Sequence, residues 1–180
     1  MPLPGEVYRF VVLVPHADAR AEFGRYCRES FRGGGTELCS FPAAAPVALL
    51  DAPASGPALK ELAALFRAQS YGNGGGGRMV TGQISGLRLP DGKMLAGPRL
   101  SVEPPPLPKG IALVESFPAL ILAAGIFSGA PELPPLRKPV RFSAAAVANM
   151  VLRPLPYKQS YEWTIGEPHW LPSIRRKARP

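Results

Sequence analysis

Histidine is scarce in this chain: His16 and His169 are the only two among 180 residues. No HxH, HExxH or mixed Cys/His spacing is present, so no metal site is expected, and no cofactor is implied. Cysteine is equally sparse, with Cys27 and Cys39 alone and no CxxC pair. That count excludes a secreted disulfide framework. It fits two buried thiols in a reducing compartment, one on a helix and one on the strand after it. Long apolar runs are missing too. The most apolar stretch, Ile111–Phe127, is interrupted by Glu115 and Pro118 and falls short of a membrane span. The opening MPLPGEVYRF has neither the basic nor the apolar region of a signal peptide, so a cytoplasmic protein is expected. Gly72–Gly77 is glycine-rich, but it lacks the Lys-Ser/Thr of a P-loop and opens no helix, so it reads as a linker.

Proline and glycine are abundant, at 23 and 19 residues. They are aperiodic and fall between apolar segments, which marks them as loop punctuation in an ordered α+β protein and limits its helix. Tyr8–Val14 is a run of aromatic and β-branched residues, a strand that Pro15 ends. Asp18 is an N-cap candidate for a helix over Ala19–Phe31. Its apolar face holds Ala19, Phe23, Tyr26, Cys27 and Phe31, and Arg20, Arg25, Arg28 and Arg32 line the other side. Gly33–Gly35 stop it. Thr36–Leu50 follows, with Val47–Leu50 a buried strand and irregularities expected at Pro42 and Pro46.

A second helix is predicted over Pro57–Ser70, burying Leu59, Leu62, Leu65 and Phe66. Met79–Leu89 and Lys93–Val102 flank Pro90-Asp91-Gly92 and predict a hairpin. Pro104–Pro108 and Pro131–Pro139 are proline-rich crossings. Between them Ile111–Phe127 is expected to form one or two buried strands, split at Phe117-Pro118. Val140–Leu152, similar in composition to Thr36–Leu50, and Tyr161–Ile165 complete the strands. The expected fold is α+β: a single two-lobed domain over residues 1–174, with antiparallel sheets around a central cleft and two helices in the N-terminal half. The lobes are placed at about residues 6–103 and 109–174, and residues 175–180 are expected to be a disordered basic tail.

Basic residues outnumber acidic ones 21 to 13, a formal charge of +8, and Arg175, Arg176, Lys177 and Arg179 supply half of that excess. Such a balance favours anionic partners, RNA or a phosphorylated small molecule. In Arg153–Trp163 and Trp170–Arg176 basic residues interleave with aromatics. Tyr157, Tyr161, Trp163 and Trp170 are of the kind that stack on bases, while Arg153, Lys158, Arg175 and Arg176 suit phosphates. The same aromatics also suit a core. His16 follows the first strand, and His169 sits in Pro-His-Trp-Leu-Pro. Either becomes an acid or base only with an orienting partner and a pocket.

The order of segments resembles that of the two-histidine phosphoesterase superfamily, the 2′-5′ RNA ligase-like and cyclic phosphodiesterase proteins. YRFVVLVP and the helix after it look like that family's opening strand and helix. SFPAAAPVALL stands where its first His-x-Thr/Ser strand is found. The hairpin around Asp91-Gly92 and the late FSAAAVANMVL are similar to its middle hairpin and second His-x-Thr/Ser strand. The resemblance covers about residues 6–155 and is one of layout. It implies two histidines facing each other across a cleft, one acid and one base, with hydroxyls holding the phosphate.

Here the first motif position reads Pro46-Val47-Ala48 or Val47-Ala48-Leu49, and the second Val147-Ala148-Asn149. Neither holds histidine, serine or threonine, and no catalytic residue carries over. The resemblance then implies a non-catalytic relative that binds RNA or a nucleotide-like phosphate, with Asn149 the one polar side chain on the motif strands to face the cleft. The ligand-binding candidates are Asn149, Arg137, Arg141, Arg153, Lys158, Trp163 and His169, with Arg137, Arg141, Arg153 and Lys158 clustered on one concave face. Two other readings stand beside it. One is a phosphoesterase or other hydrolase built on His16 or His169. The other is a protein-interaction module whose proline-rich crossings present polyproline II segments.

Overall fold

The computed structural model describes residues 7–17, 20–21, 24–26, 28–29, 44–71, 79–89, 92–101, 103–122, 125–127, 142–154 and 159–170. Both cysteines, Asp18, Ala19, Phe23, Phe31, Gly33–Gly35, Pro42, Gly72–Gly77, Pro131–Pro139 and the basic tail lie outside them. In chain order the elements are β1 (Val7–Pro15), the helical residues of α1 between 17 and 29, β2 (Ala45–Leu50), α2 (Gly56–Tyr71), β3 (Met79–Arg88) and β4 (Met94–Leu100). Then follow β5 (Leu113–Ser116), β6 (Gly125–Phe127), β7 (Phe142–Pro154), β8 (Gln159–Ile165) and β9 (His169–Trp170).

The larger sheet runs β5-β2-β1-β7-β8, with β9 also paired to β7, and the smaller runs β3-β4-β6. Every pairing is antiparallel. The class is the expected one, α+β with two antiparallel sheets and its helices early in the chain. Each sheet draws strands from both sides of the Pro104–Pro108 crossing.

A strand covered on both faces is apolar throughout instead of alternating, and β1 is buried from Phe10 to Pro15. Its two faces meet different layers. On one, Val11 and Leu13, with Ala45, Ala48, Ala145 and Val147 of the neighbouring strands, pack against Ala58, Leu59, Leu62, Ala63 and Phe66 of α2 and Tyr26 of α1. On the other, Phe10, Val12 and Val14, with Leu49, Ala144, Ala146, Ala148 and Met150, meet Leu87, Leu95 and Ile126 of the smaller sheet and Leu89 just past β3. The alanines of β7 let both layers approach closely.

α2 forms because its apolar residues recur at helical spacing after a cap. The Ala58 amide donates to Ser55 Oγ at 3.3 Å, and the Leu59 amide to the Ser55 carbonyl at 3.0 Å. Pro57 lies in the first turn, where its missing N–H costs nothing. Leu59, Leu62 and Phe66 are buried as expected, Leu65 is half-buried, and Ala58 and Ala63 complete the stripe. The Phe66 ring meets Phe142 edge-on, centroids 5.6 Å apart. Each such large side chain contributes about 1.5–3 kcal/mol of transfer free energy.

The β3–β4 hairpin closes as predicted. The Gly92 amide donates to Leu89 O at 2.8 Å and the Leu89 amide to Lys93 O at 2.7 Å. Gly92 has φ of 86°, a left-handed conformation that glycine adopts without steric cost. The irregularity expected at Pro46 is present: the β1–β2 register shifts between Val11 and Val12, where Val12 stands opposite Pro46. Pro98 accompanies a similar break in the β3–β4 ladder, between the pairs Met79–Leu100 and Ile84–Pro98. A proline has no N–H to give to a ladder.

One expectation needs correction. Ile111–Phe127 does split at Phe117-Pro118 into two strands, but β5 is exposed along its whole length and only β6 is buried. Among the described residues β5 is an edge strand paired with β2 alone, and Leu113 and Val114 remain 45% and 57% exposed. The apolar weight of the stretch sits in Phe117 and Leu120–Leu122, which join the smaller sheet through Leu100 N–H to Leu120 O and Leu122 N–H to Pro98 O. Both long edges of the larger sheet are irregular. The β2–β5 register shifts between Leu49 and Leu50, and Gly166–Pro168 interrupts the edge between β8 and β9. Such breaks discourage edge-to-edge pairing. Among the described residues no helix is long and apolar enough to cross a membrane.

Candidate functional site

Directly opposed residues of an antiparallel ladder point to the same face, and successive residues along a strand to opposite faces. β1 carries one charged residue, Arg9. Arg9 stands opposite Asn149 of β7, and Asn149 opposite Thr164 of β8. The next row is Val7–Val151–Glu162, and beyond it Arg153 stands opposite Ser160. In the other direction come Val11–Val147 and then Leu13–Ala145–His169. All of these positions share the face on which α2 packs.

α2 seals one half of that face: Val11, Leu13 and Ala145 are no more than 1% exposed. The other half opens. Arg9, Asn149, Val7 and Val151 are half-buried, while Thr164 and Glu162 are exposed. With strands about 4.8 Å apart, Arg9, Asn149 and Thr164 form a polar strip spanning about 10 Å. Among the described residues neither the Arg9 guanidinium nor the Asn149 amide has a side-chain hydrogen bond or ion pair. A guanidinium offers planar paired donors that match a phosphate or carboxylate, the amide adds donors and an acceptor, and the threonine adds a hydroxyl.

The residues singled out from sequence divide between two faces. Asn149 lies on the α2 face, beside Arg9; between the two sheets β7 presents Ala146, Ala148 and Met150 instead. Arg153 holds a register position on the same face as Asn149, toward the end of β7. His169, also on this face, is half-buried and stands about 14 Å from Asn149, one strand across and four residues along β7. Its Cε1 lies 3.2 Å from where a Cβ on Gly56 would be, so the imidazole rests against the start of α2.

Trp163 points the other way. It is opposite Met150, half-buried, with its ring 6.0 Å from Phe10 at 40°. That is core packing, on the face opposite Arg9. His16 is exposed just past β1. Arg137, Arg141 and Lys158 lie outside the described residues.

The two motif positions are adjacent in space. Val11 pairs with Ala48 on one side and Val147 on the other, so Val47-Ala48-Leu49 and Val147-Ala148-Asn149 flank β1 on one sheet, about 10 Å apart. Val47, Ala48, Leu49 and Ala148 are all buried there. Among the described residues no three His, Cys, Asp or Glu side chains gather as a metal site.

Arg9, Thr164 and Glu162 are not evident from sequence as site residues. The available signal was a lone cation inside the apolar run Tyr8–Val14. Its facing was unreadable, because a strand buried on both sides shows no alternation. No family model, curated protein or solved structure matches the chain.

Proposed function

We propose that this chain is a non-catalytic binding protein for RNA or a nucleotide-like phosphate, acting in the cytoplasm on a fold akin to that of the two-histidine phosphoesterases. One observation carries the reading: Arg9 and Asn149 stand directly opposite one another in the β1–β7 ladder, both half-buried, on the open half of a sheet face. Partial burial strengthens a charge-assisted hydrogen bond by lowering the local dielectric. The absence of catalysis is supported by the motif positions, where buried Val47, Ala48 and Ala148 leave no group to donate or accept a proton. The polyproline alternative is less well supported. Pro105 and Pro108 are buried and Leu107 packs against the core, so that crossing spends its apolar surface inward.

The test is fluorescence anisotropy with a short labelled single-stranded RNA and a labelled nucleotide, each over a salt titration. Binding should weaken as salt rises. Arg9→Gln should weaken it about 10-fold or more, as expected for losing a hydrogen bond to a charged group worth about 1.5–3 kcal/mol. Wild-type affinity in Arg9→Gln would remove the site.

A further inference from the structure

Resting on the reading just given, we infer that the Arg9 strip is the phosphate end of a longer site whose other end is His169. The ligand's phosphate sits at Arg9, Asn149 and Thr164. Its body, a nucleoside, lies over Val147 and Gly166 and reaches the imidazole. β8 and β9 pair with the same strand, so Thr164 and His169 stand in one column, opposite Asn149 and Ala145. Four residues of β7 separate them, about 13 Å. Between them is Gly166, whose amide donates to the Val147 carbonyl at 2.8 Å. Gly166 is exposed, and Val147 beside it is half-buried. The column therefore has a gap where a side chain would stand, floored by an apolar one.

The chain itself closes a third side. Leu50 ends β2 opposite Arg9, and Gly56 begins α2 against His169. Asp51–Ser55 crosses the face from the β2 side to the β9 side, with Ala54 packed on the core. A line between those ends leaves Val11 on the helix side and Val147 on the open side. Their burial agrees: Val11 is 0% exposed, while Val147 is half-buried. What remains among the described residues is a three-sided recess, open at the β8 edge.

Both ends of that recess are polar. Among the described residues the His169 imidazole, like the Arg9 guanidinium, has no hydrogen bond or ion pair. A half-buried polar group without a partner is costly, so a ligand that supplies one is favoured. Imidazole donates and accepts, which suits the edge of a base or a sugar hydroxyl. The valine floor and the missing side chain suit a flat ring. The span, shortened by the side chains that reach into it, is about a nucleoside's length. One nucleotide unit is chemistry that a free nucleotide and the end of an RNA strand share.

Isothermal titration calorimetry of the full chain with inorganic phosphate and adenosine 5′-monophosphate tests this, in the wild type, His169→Ala and Gly166→Val. The valine fills the gap. Its Cβ would lie 3.3 Å from the Val147 carbonyl oxygen, and a urea midpoint checks that each variant keeps the fold. Wild-type protein should bind the nucleotide more tightly than inorganic phosphate. His169→Ala should weaken the nucleotide about 5-fold or more, a hydrogen bond's worth. Gly166→Val should lower it to the level of inorganic phosphate. Both variants should bind inorganic phosphate as the wild type does, because the Arg9 end is untouched. The same pattern with a short oligoadenylate, bound more tightly than the nucleotide, would support the site equally and make a strand end its source.

Wild-type nucleotide affinity in either folded variant would place the body elsewhere and overturn the inference while leaving phosphate binding intact. So would a nucleotide that binds no better than inorganic phosphate, or a folded variant that loses both ligands together. Silence from both ligands in the wild type would overturn the phosphate-binding reading itself, and this inference with it.

Discussion

Gly86 of β3 stands opposite Ala96 of β4. A Cβ added there would come within 2.5 Å of the Leu95 carbonyl oxygen and 3.0 Å of the Ala96 Cα and Cβ. Two of those three atoms are backbone, so no rotamer relieves the clash. β3 would have to draw away from β4 by about 0.5–1 Å to restore ordinary contact. Overpacking of this kind typically costs about 1–3 kcal/mol. Stiffening the unfolded chain offsets about 0.4–1 kcal/mol of it.

Gly86→Ala should therefore lose about 1–2 kcal/mol, or about 2–8 °C in melting temperature for a chain of this size. Gly110→Ala is the matched control. Among the described residues its Cβ would meet only the Ala58 Cβ, at 3.9 Å, so stability should hold or rise by up to about 1 kcal/mol. Urea unfolding followed by circular dichroism measures both, with the slope m expected unchanged. A wild-type or higher midpoint in Gly86→Ala would refute the close approach of β3 and β4 at this pair.

Leu62→Ala, at a fully buried site beneath α2, should cost about 2–5 kcal/mol in urea unfolding; a loss below about 1 kcal/mol would mean that the helix is not seated there. Ser55→Ala should cost about 1 kcal/mol through the lost cap, and Ser55→Asp should restore most of it. Gly56→Ala would place a Cβ 3.2 Å from His169 Cε1, so the imidazole proton resonances of His169 should shift in NMR spectra. Unchanged resonances would separate the ring from the helix start. Val114→Lys, on the exposed edge strand β5, should move stability by less than about 0.5 kcal/mol while lowering self-association in light scattering. A larger loss would show that β5 is covered in solution.

Much of the local structure was legible in the residues alone. The strand over Tyr8–Val14, the apolar stripe of α2, the turn at Gly92 and the break at Pro46 depend on neighbours within a turn or two of chain. Backbone sterics and hydrophobic spacing settle such features before any long-range contact forms. Residues 9, 149 and 164 share no such signal. They meet only because β7 pairs with β1 on one side and β8 on the other. The facing of Asn149 followed the pleat: the register that places Ala148 between the sheets turns its neighbour toward α2. β5 looked like core because it lies in the most apolar stretch of the chain, Ile111–Phe127. Its exposure was decided by its place at the end of the strand order, with no strand beyond it among the described residues. Pairing partner, register and edge position are properties of the closed sheet. They are chosen by which distant segments bury one another best, and the site lives at that level.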